Sequence, residues 1–370
     1  MDNIKLCIFA PSKKSYSETF IHAHKRLNNK DVVFAYGALA LLESEISGRI
    51  LSNIKRLYWK SVGIVFKGRK DYDSFKNIQL LVKANNINVA LLEYGTYGSH
   101  VVPYLKELNI PFIVHFHGYD ASSYNVLRDY KNAYLRMFEM ASNVVVVSRV
   151  MERKLLELGC PRTKLIYNVY GPNEIYSEIE PNYDSQQFIG VGRFVDKKAP
   201  LILINSFSKA LEFFPSARMV MVGDGPLFEE SKKLIDKLGI EDSVILTGRK
   251  SSQEIKELLG DSMAFVQHSI TAIDGDMEGT PLSILESSSA GLPVISTIHA
   301  GIPDVILHGE TGFLVEENDE EGMTKFMLKL LEDRILTEVL GKKGKQRIKE
   351  SFTLERHLSV LDSLIKKAVY

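Results

Sequence analysis

Cysteine is scarce: Cys7 and Cys160 are the only two among 370 residues. Cys7 falls in a candidate core strand and Cys160 precedes Pro161 after a helix. Both read as packing residues of a reduced compartment, and a disulfide framework is excluded. No apolar run approaches the roughly 20 residues needed to span a bilayer. Ile4 to Ala10 is strand-like, with no basic segment and long apolar stretch ahead of it, so no signal peptide is expected. Tryptophan occurs once, and no low-complexity segment or repeat is readable. Net charge is missing too, because 46 Lys and Arg balance 46 Asp and Glu. What remains is a cytoplasmic globular chain whose 45% hydrophobic and 25% charged residues suit two domains.

The balance hides an asymmetry. Residues 1–170 carry 24 Lys and Arg against 14 Asp and Glu, and residues 171–370 carry 22 against 32. A first half at +10 points to an anionic surface or substrate. Short apolar strands alternate with amphipathic helices in both halves. The first half predicts strands at 5–10, 31–36, 88–93, 112–115, 143–147 and 164–167, with helices at 18–27, 74–84 and 124–141. The second predicts strands at 187–191, 218–222, 244–247, 263–266, 293–296 and 312–315, with helices at 201–213, 227–238, 252–259 and 282–290. Fully apolar strands between helices mean parallel sheets covered on both faces, an α/β class. Residues 171–185, with Pro172 and Pro181 and no long apolar run, read as a linker. The domains are thus 1–170 and 186–352, and 353–370 is a terminal helix with Leu358, Leu361, Leu364 and Ile365 on one face.

The richest motif is Glu278-Gly279-Thr280-Pro281-Leu282-Ser283-Ile284-Leu285-Glu286. Pro281 suits the first position of a helix, which puts Glu278 just before the helix and Glu286 about two turns inside. The N–H groups of a helix start make an anion site. A carboxylate beside a phosphate and another further in can hold two hydroxyl-bearing groups, the shape of a sugar nucleotide. Alone, this reading stands level with a capped helix carrying two incidental glutamates. Phe188 to Arg193 reads as a strand running into a Gly192-Arg193 turn, and Lys198 opens the next helix. Cations at a strand's carboxyl end are where doubly wound sheets hold phosphate. A solvated Asp196-Lys197-Lys198 loop is the plain alternative; the order of the two motifs shifts the weight to a ligand site.

With these marks the chain resembles family 4 of the retaining glycosyltransferases, which have the GT-B fold. The resemblance also rests on Val222-Gly223-Asp224-Gly225-Pro226, Ala290-Gly291-Leu292-Pro293-Val294 and Gly309 to Val315. Ser17-Glu18-Thr19-Phe20-Ile21 and His117-Gly118-Tyr119-Asp120 resemble the branch that builds bacterial exopolysaccharides such as colanic acid. The resemblance implies two Rossmann-like domains facing across a cleft, with the last helix crossing back to the first domain. It implies a nucleotide-sugar donor, UDP- or GDP-linked, in the second domain. Gly192, Arg193 and Lys198 would meet the diphosphate together with Gly279, Thr280, Pro281 and Leu282. Glu286 would hold the ribose, Glu278 the donor sugar, and Thr247, Gly248 and Arg249 would border the base. His117 would face the acceptor and the donor sugar, with Ser17, Glu18 and Asp120 nearby; Asp120 orients a loop or acts as a base.

No resident cofactor is expected. Asp274-Gly275-Asp276 invites a Mn²⁺ or Mg²⁺ reading, since Asp-x-Asp holds metal in the other large glycosyltransferase fold. Arg193, Lys198 and helix N–H groups make a metal redundant, so metal independence is the expectation. Gly223-Asp224-Gly225 is a weak dinucleotide fingerprint, because Phe228 stands where a third glycine belongs. The stretch 46–70 holds seven cations and no acid, and Trp59 and Tyr58 lie among Lys55, Arg56 and Lys60. Cations with aromatic anchors suit an anionic membrane surface and a lipid-linked saccharide acceptor. A basic helix folded on its own domain is the alternative, and no nucleic-acid-binding signature accompanies it. The 11–18 loop departs from the family's usual Gly-Gly, although Lys13 or Lys14 there can meet an anionic acceptor. Two other functions share the fold: a nucleotide-sugar 2-epimerase, which needs no acceptor, and a non-catalytic sugar-nucleotide-binding subunit.

Overall fold

The computed structural model describes residues 4–13, 19–27 and 32–370. The chain divides into two compact units. The first comprises Met1–Val147, Met151–Asn168 and Leu358–Tyr370; the second comprises Ser148–Val150 and Val169–His357.

The first unit's strands are β1 (Leu6–Ala10), β2 (Val32–Tyr36), β3 (Glu43–Ser44), β4 (Gly48–Arg49), β5 (Val89–Glu93), β6 (Phe112–His115), β7 (Asn143–Val146) and β8 (Leu165–Tyr167). Their order is β4-β3-β2-β1-β5-β6-β7-β8. Pairing is parallel from β2 to β8, and β3 and β4 add a small antiparallel edge. Alternate residues supply each face. Leu6, Ile8, Phe34, Val89, Leu91, Ile113 and Val145 share one cluster, and Leu361, Leu364 and Ile365 from the last helix, Leu354–Val369, complete it. Cys7 points to the opposite, equally buried face; it and Cys160 are free thiols. The run predicted as one helix at 18–27 is a short helix, Thr19–Ala23, followed by a 3-10 turn, His24–Arg26.

The second unit's sheet is parallel throughout. Its strands are β9 (Gln187–Val191), β10 (Arg218–Val222), β11 (Val244–Gly248), β12 (Ala264–Val266), β13 (Val294–Thr297) and β14 (Gly312–Val315), in the order β11-β10-β9-β12-β13-β14. The core forms around Phe188, Met219, Met221, Ala264, Val266, Ile295 and Phe313. The chain moves outward from β9 through β10 to β11, then returns to pair β12 on the other side of β9. That reversal splays the loops after β9 and β12, which is where open α/β sheets form ligand crevices.

Candidate active site

β9 ends at Val191 and enters the Gly192-Arg193 turn. The Gly192 N–H donates to the Val222 carbonyl at 2.9 Å and the Phe194 N–H to that of Asp224 at 3.0 Å. The turns after β9 and β10 are therefore tied together. Gly223, at φ +139°, sits against the Gly192 carbonyl, and a Cβ there would collide with it. After a 3-10 turn at Asp196–Lys198, Ala199 takes a left-handed conformation (φ 37°) and feeds helix Pro200–Leu211. This reversal lays the Lys198 chain over Gly192. Gly192, Arg193, Lys198, Met221, Val266 and Gln267 line a hollow at the switch point.

Lys198 Nζ lies 3.5 Å from Glu278 Oε1, and both side chains are mostly buried. Burial pulls Lys198 below its ordinary value, against the opposing pull of Glu278. Burial would raise Glu278, but the cations Lys198, Lys197 and Arg193 outweigh it and hold the carboxyl low. The neighbouring Lys197 is buried and donates to Asp276 at 3.0 Å and to the Met277 carbonyl at 3.3 Å. Asp276, considered above as half of a metal pair, is thereby engaged by a cation. Among the described residues, neither Asp274 nor Asp276 belongs to a group of three or more His, Cys, Asp or Glu side chains close enough to share one ion.

Pro281 corrects one expectation. It is the cap and not the first helical residue: its backbone is extended (φ −63°, ψ 120°) and the helix is Leu282–Ala290. The N–H groups of Ile284 and Leu285 both reach its carbonyl, so ring geometry that suits a first turn serves the turn's closure instead. Ser283 Oγ donates to Gln267 Oε1 at 3.0 Å, joining the helix start to the hollow. Gly301 supports this loop: its N–H donates to the Gly279 carbonyl at 2.9 Å, and a Cβ there would strike Thr280 and Gly279. Desolvation pushes the Glu286 carboxyl up to about 8. Thr247 Oγ1 donates to the Gly248 carbonyl at 3.0 Å. The Arg249 guanidinium, exposed, is 3.2 Å from Asp224, so the residues expected at the base adjoin the Gly223-Asp224 turn.

The first unit holds a different constellation. His117 Nε2 lies 2.8 Å from Glu93 Oε2, and His24 Nδ1 lies 2.6 Å from Glu93 Oε1. Burial would raise Glu93, but the two imidazoles bring it down to about 2. Phe20 and Tyr94 pack on His117 at 4.8 and 4.5 Å between ring centres. Asp120 Oδ2 accepts from the Gly95 N–H at 2.7 Å, and Oδ1 accepts from those of His117 and Gly118 at 2.9 and 3.1 Å. Of its two candidate roles, orienting the loop is the one this geometry fills. Glu93 and His24 are additions that sequence reasoning missed; the available signal was an acid closing the otherwise apolar strand β5. Glu93, His115 and His117 also present ligand atoms within 4.8 Å of one another, an arrangement able to hold a metal. Lys13 stands 5.6 Å over the Tyr36 ring. Ser17, Glu18 and Lys14 lie outside the described residues.

The basic stretch forms helix Asn53–Lys67, capped by Ser52. Ile54, Leu57, Tyr58, Ile64, Val65 and Phe66 are all exposed, while Gly63 is buried against Tyr72. Lys55 and Lys60 are exposed and Arg56 is partly buried. Trp59 is not the outward anchor expected. It turns inward to Tyr72 (6.1 Å), with Lys76 Nζ 4.7 Å over its ring.

Two family descriptions match consecutive parts of the chain: "Glycosyltransferase Family 4" at residues 20–171 and "Glycosyl transferases group 1" at residues 173–347. WcaL of Escherichia coli (strain K12), named for colanic acid biosynthesis, is 32% identical over 57% of this chain and 52% of its own length. The amylovoran biosynthesis glycosyltransferase AmsK of Erwinia amylovora is 30% identical over 66% of this chain and 61% of its own. The matches thus span between half and three-fifths of these relatives. In fold, the chain is similar to Anabaena Alr3699/HepE, solved with UDP and glucose, at TM-score 0.78 and 15% identity over 99% of this chain and 100% of that one. It is similar likewise to a glycosyltransferase from Rickettsia africae, at TM-score 0.75 and 18% identity over 100% and 99%. With both halves matched in order and two parallel-sheet units of this topology, the chain belongs to family 4 of the GT-B glycosyltransferases.

Proposed function

We propose that the chain is a retaining glycosyltransferase that moves a hexose from a nucleoside-diphosphate sugar to a saccharide acceptor, lipid-linked, in cell-surface polysaccharide assembly. The observation that carries this reading is the Lys198–Glu278 pair beside the Gly192-Arg193 turn, at the sheet's switch point. A buried cation with a nearby exposed Arg193 is suited to a diphosphate, and a buried carboxylate beside it to sugar hydroxyls. Charge grows on the leaving nucleotide as the glycosidic bond breaks. Arg193, Lys198 and the amides of Leu282 and Ser283 offset that charge, an interaction stronger in the transition state than in the ground state. Glu286 is assigned to the ribose, Thr247, Gly248 and Arg249 to the base, and His117 of the first unit to the acceptor.

In the retaining reading, the acceptor hydroxyl attacks the anomeric carbon on the face that the nucleotide leaves. The departing diphosphate takes the acceptor's proton, so no protein nucleophile is assigned. These cations supply the charge a divalent ion would bring, so no metal is assigned either. Polymer names among the relatives and UDP in HepE support the donor and product classes. The exposed apolar strip on Asn53–Lys67, flanked by Lys55, Lys60 and Lys67, supports peripheral attachment to an anionic membrane, where such acceptors reside.

The test is a thermal-shift panel with UDP, GDP, ADP and CMP in EDTA, followed by transfer of a labelled sugar. A nucleotide at 100 times its dissociation constant stabilises the fold by about 2.7 kcal/mol. One nucleotide should shift the wild type and fail to shift Glu286→Ala. No shift, or a shift that requires a divalent ion, overturns the donor assignment. Turnover of the donor alone to an epimer overturns the transferase.

A further inference from the structure

His299 and Glu317 stand outside every motif described so far, yet they connect three loops to Glu278. His299 follows β13, and Glu317 follows β14. The Glu278 N–H donates to His299 Nε2 at 3.1 Å, and His299 Nδ1 lies 2.6 Å from Glu317 Oε1. Glu317 accepts in addition from the Thr271 N–H at 2.8 Å and from Thr271 Oγ1 at 3.1 Å. Thr271 belongs to the loop after β12. The line Thr271–Glu317–His299–Glu278 therefore begins at one loop and ends on the backbone of the residue paired with Lys198.

The donors and acceptors fix the tautomer. A backbone N–H can only donate, so Nε2 of His299 carries no proton. The proton is on Nδ1, where it is donated to the Glu317 carboxylate. Burial would raise Glu317, but Thr271 and His299 outweigh it and keep the carboxylate charged. The imidazole is fully buried. A second imidazole nearby shares only the acceptor half of this arrangement, where the Asn318 N–H donates to His268 Nε2 at 2.9 Å.

We propose that Glu317 and His299 are positioning residues of the transfer reaction: the carboxylate sets which imidazole nitrogen is unprotonated, and that nitrogen holds the Glu278 backbone so that its side chain meets the donor. This rests on the transferase reading above. The other tautomer, with its proton on Nε2, would set that N–H against the Glu278 N–H. Glu317, Glu278 and His268 are the titratable groups facing it, from the loops after β14, before Leu282–Ala290 and after β12. The line acts on Glu278 and not on the diphosphate cations, so nucleotide affinity and catalysis should separate.

The experiment compares wild type, His299→Leu, His299→Gln and Glu317→Gln. It measures affinity for the nucleotide selected by the panel, and kcat at saturating donor. His299→Leu should keep nucleotide affinity within about threefold and lose about 100-fold in kcat, the cost of a misplaced reacting group. His299→Gln restores a side-chain acceptor at this position. It should recover most of the loss. Glu317→Gln, nearly isosteric, should fold and lower kcat with nucleotide affinity kept, so the proposal stays testable if His299→Leu does not fold. Wild-type kcat in Glu317→Gln and in folded His299→Leu overturns this inference alone. A wild type that binds no nucleotide overturns the transferase reading, and this inference with it.

Discussion

Glu286 prefers to keep its proton, since desolvation takes its carboxyl to about 8 from an ordinary 4.5. The neutral form is the stable one. That stability is complete below pH 4.5 and is lost as pH rises through about 8. Glu286→Gln should therefore melt higher than wild type at pH 8 and equally at pH 4.5, since each tenfold change in proton affinity on folding corresponds to about 1.4 kcal/mol. Differential scanning calorimetry at the two pH values checks this. Ribose hydroxyls are better met by the ionised form, so nucleotide affinity should rise with pH from 7 to 8.5, by at most about tenfold per pH unit. Calorimetric titration should find no such rise in Glu286→Ala. Glu93 runs the other way: its stabilisation is present above pH 4.5 and lost as pH falls through about 2. Glu93→Gln leaves His24 and His117 without their carboxylate, a loss of about 3 kcal/mol by urea denaturation; an unchanged midpoint would count against the buried pair.

Among the elements, helix Asn53–Lys67 turns apolar residues outward and cations to the flanks. Each flanking cation contributes about 1 kcal/mol at an anionic surface. Replacing Lys55, Lys60 and Lys67 with Glu should abolish flotation with anionic liposomes while leaving melting unchanged; equal flotation by the variant would sink the membrane assignment. Gly301→Ala pushes on Gly279 and Thr280 and should weaken donor binding about tenfold or more without unfolding the sheet. The parallel strands were legible in sequence because each is a short apolar run between helices, and β6, β9, β10 and β14 match their predicted limits. Arg193, Lys198 and Glu278 were legible as a set because they flank strand and helix ends. Trp59 was not, because nothing in an aromatic-cationic stretch says which face meets Tyr72. Nor was the β3–β4 edge, two residues per strand. The Glu93–His24 and His299–Glu317 bonds cross 69 and 18 residues, and such pairings depend on sheet order, which periodicity does not encode.

At the scale of the molecule, two sheets of related topology have separate cores, and urea should unfold them in two transitions. Leu361, Leu364 and Ile365 are buried in the first core, and each Leu or Ile removed from such a site costs about 2–5 kcal/mol. Ending the chain at His357 should remove or lower one transition and spare the other, as monitored by urea titration with limited proteolysis. A single unchanged pair of midpoints would mean that the helix is dispensable. Residues 358–370 lie beyond the second unit in sequence yet belong to the first. On the ribosome, the first unit is made early but waits for its last apolar face, while the second has all but three of its residues in one continuous stretch. The order of synthesis and the order of completion are thus reversed, and the unfinished β1–β8 sheet is the part a chaperone would meet.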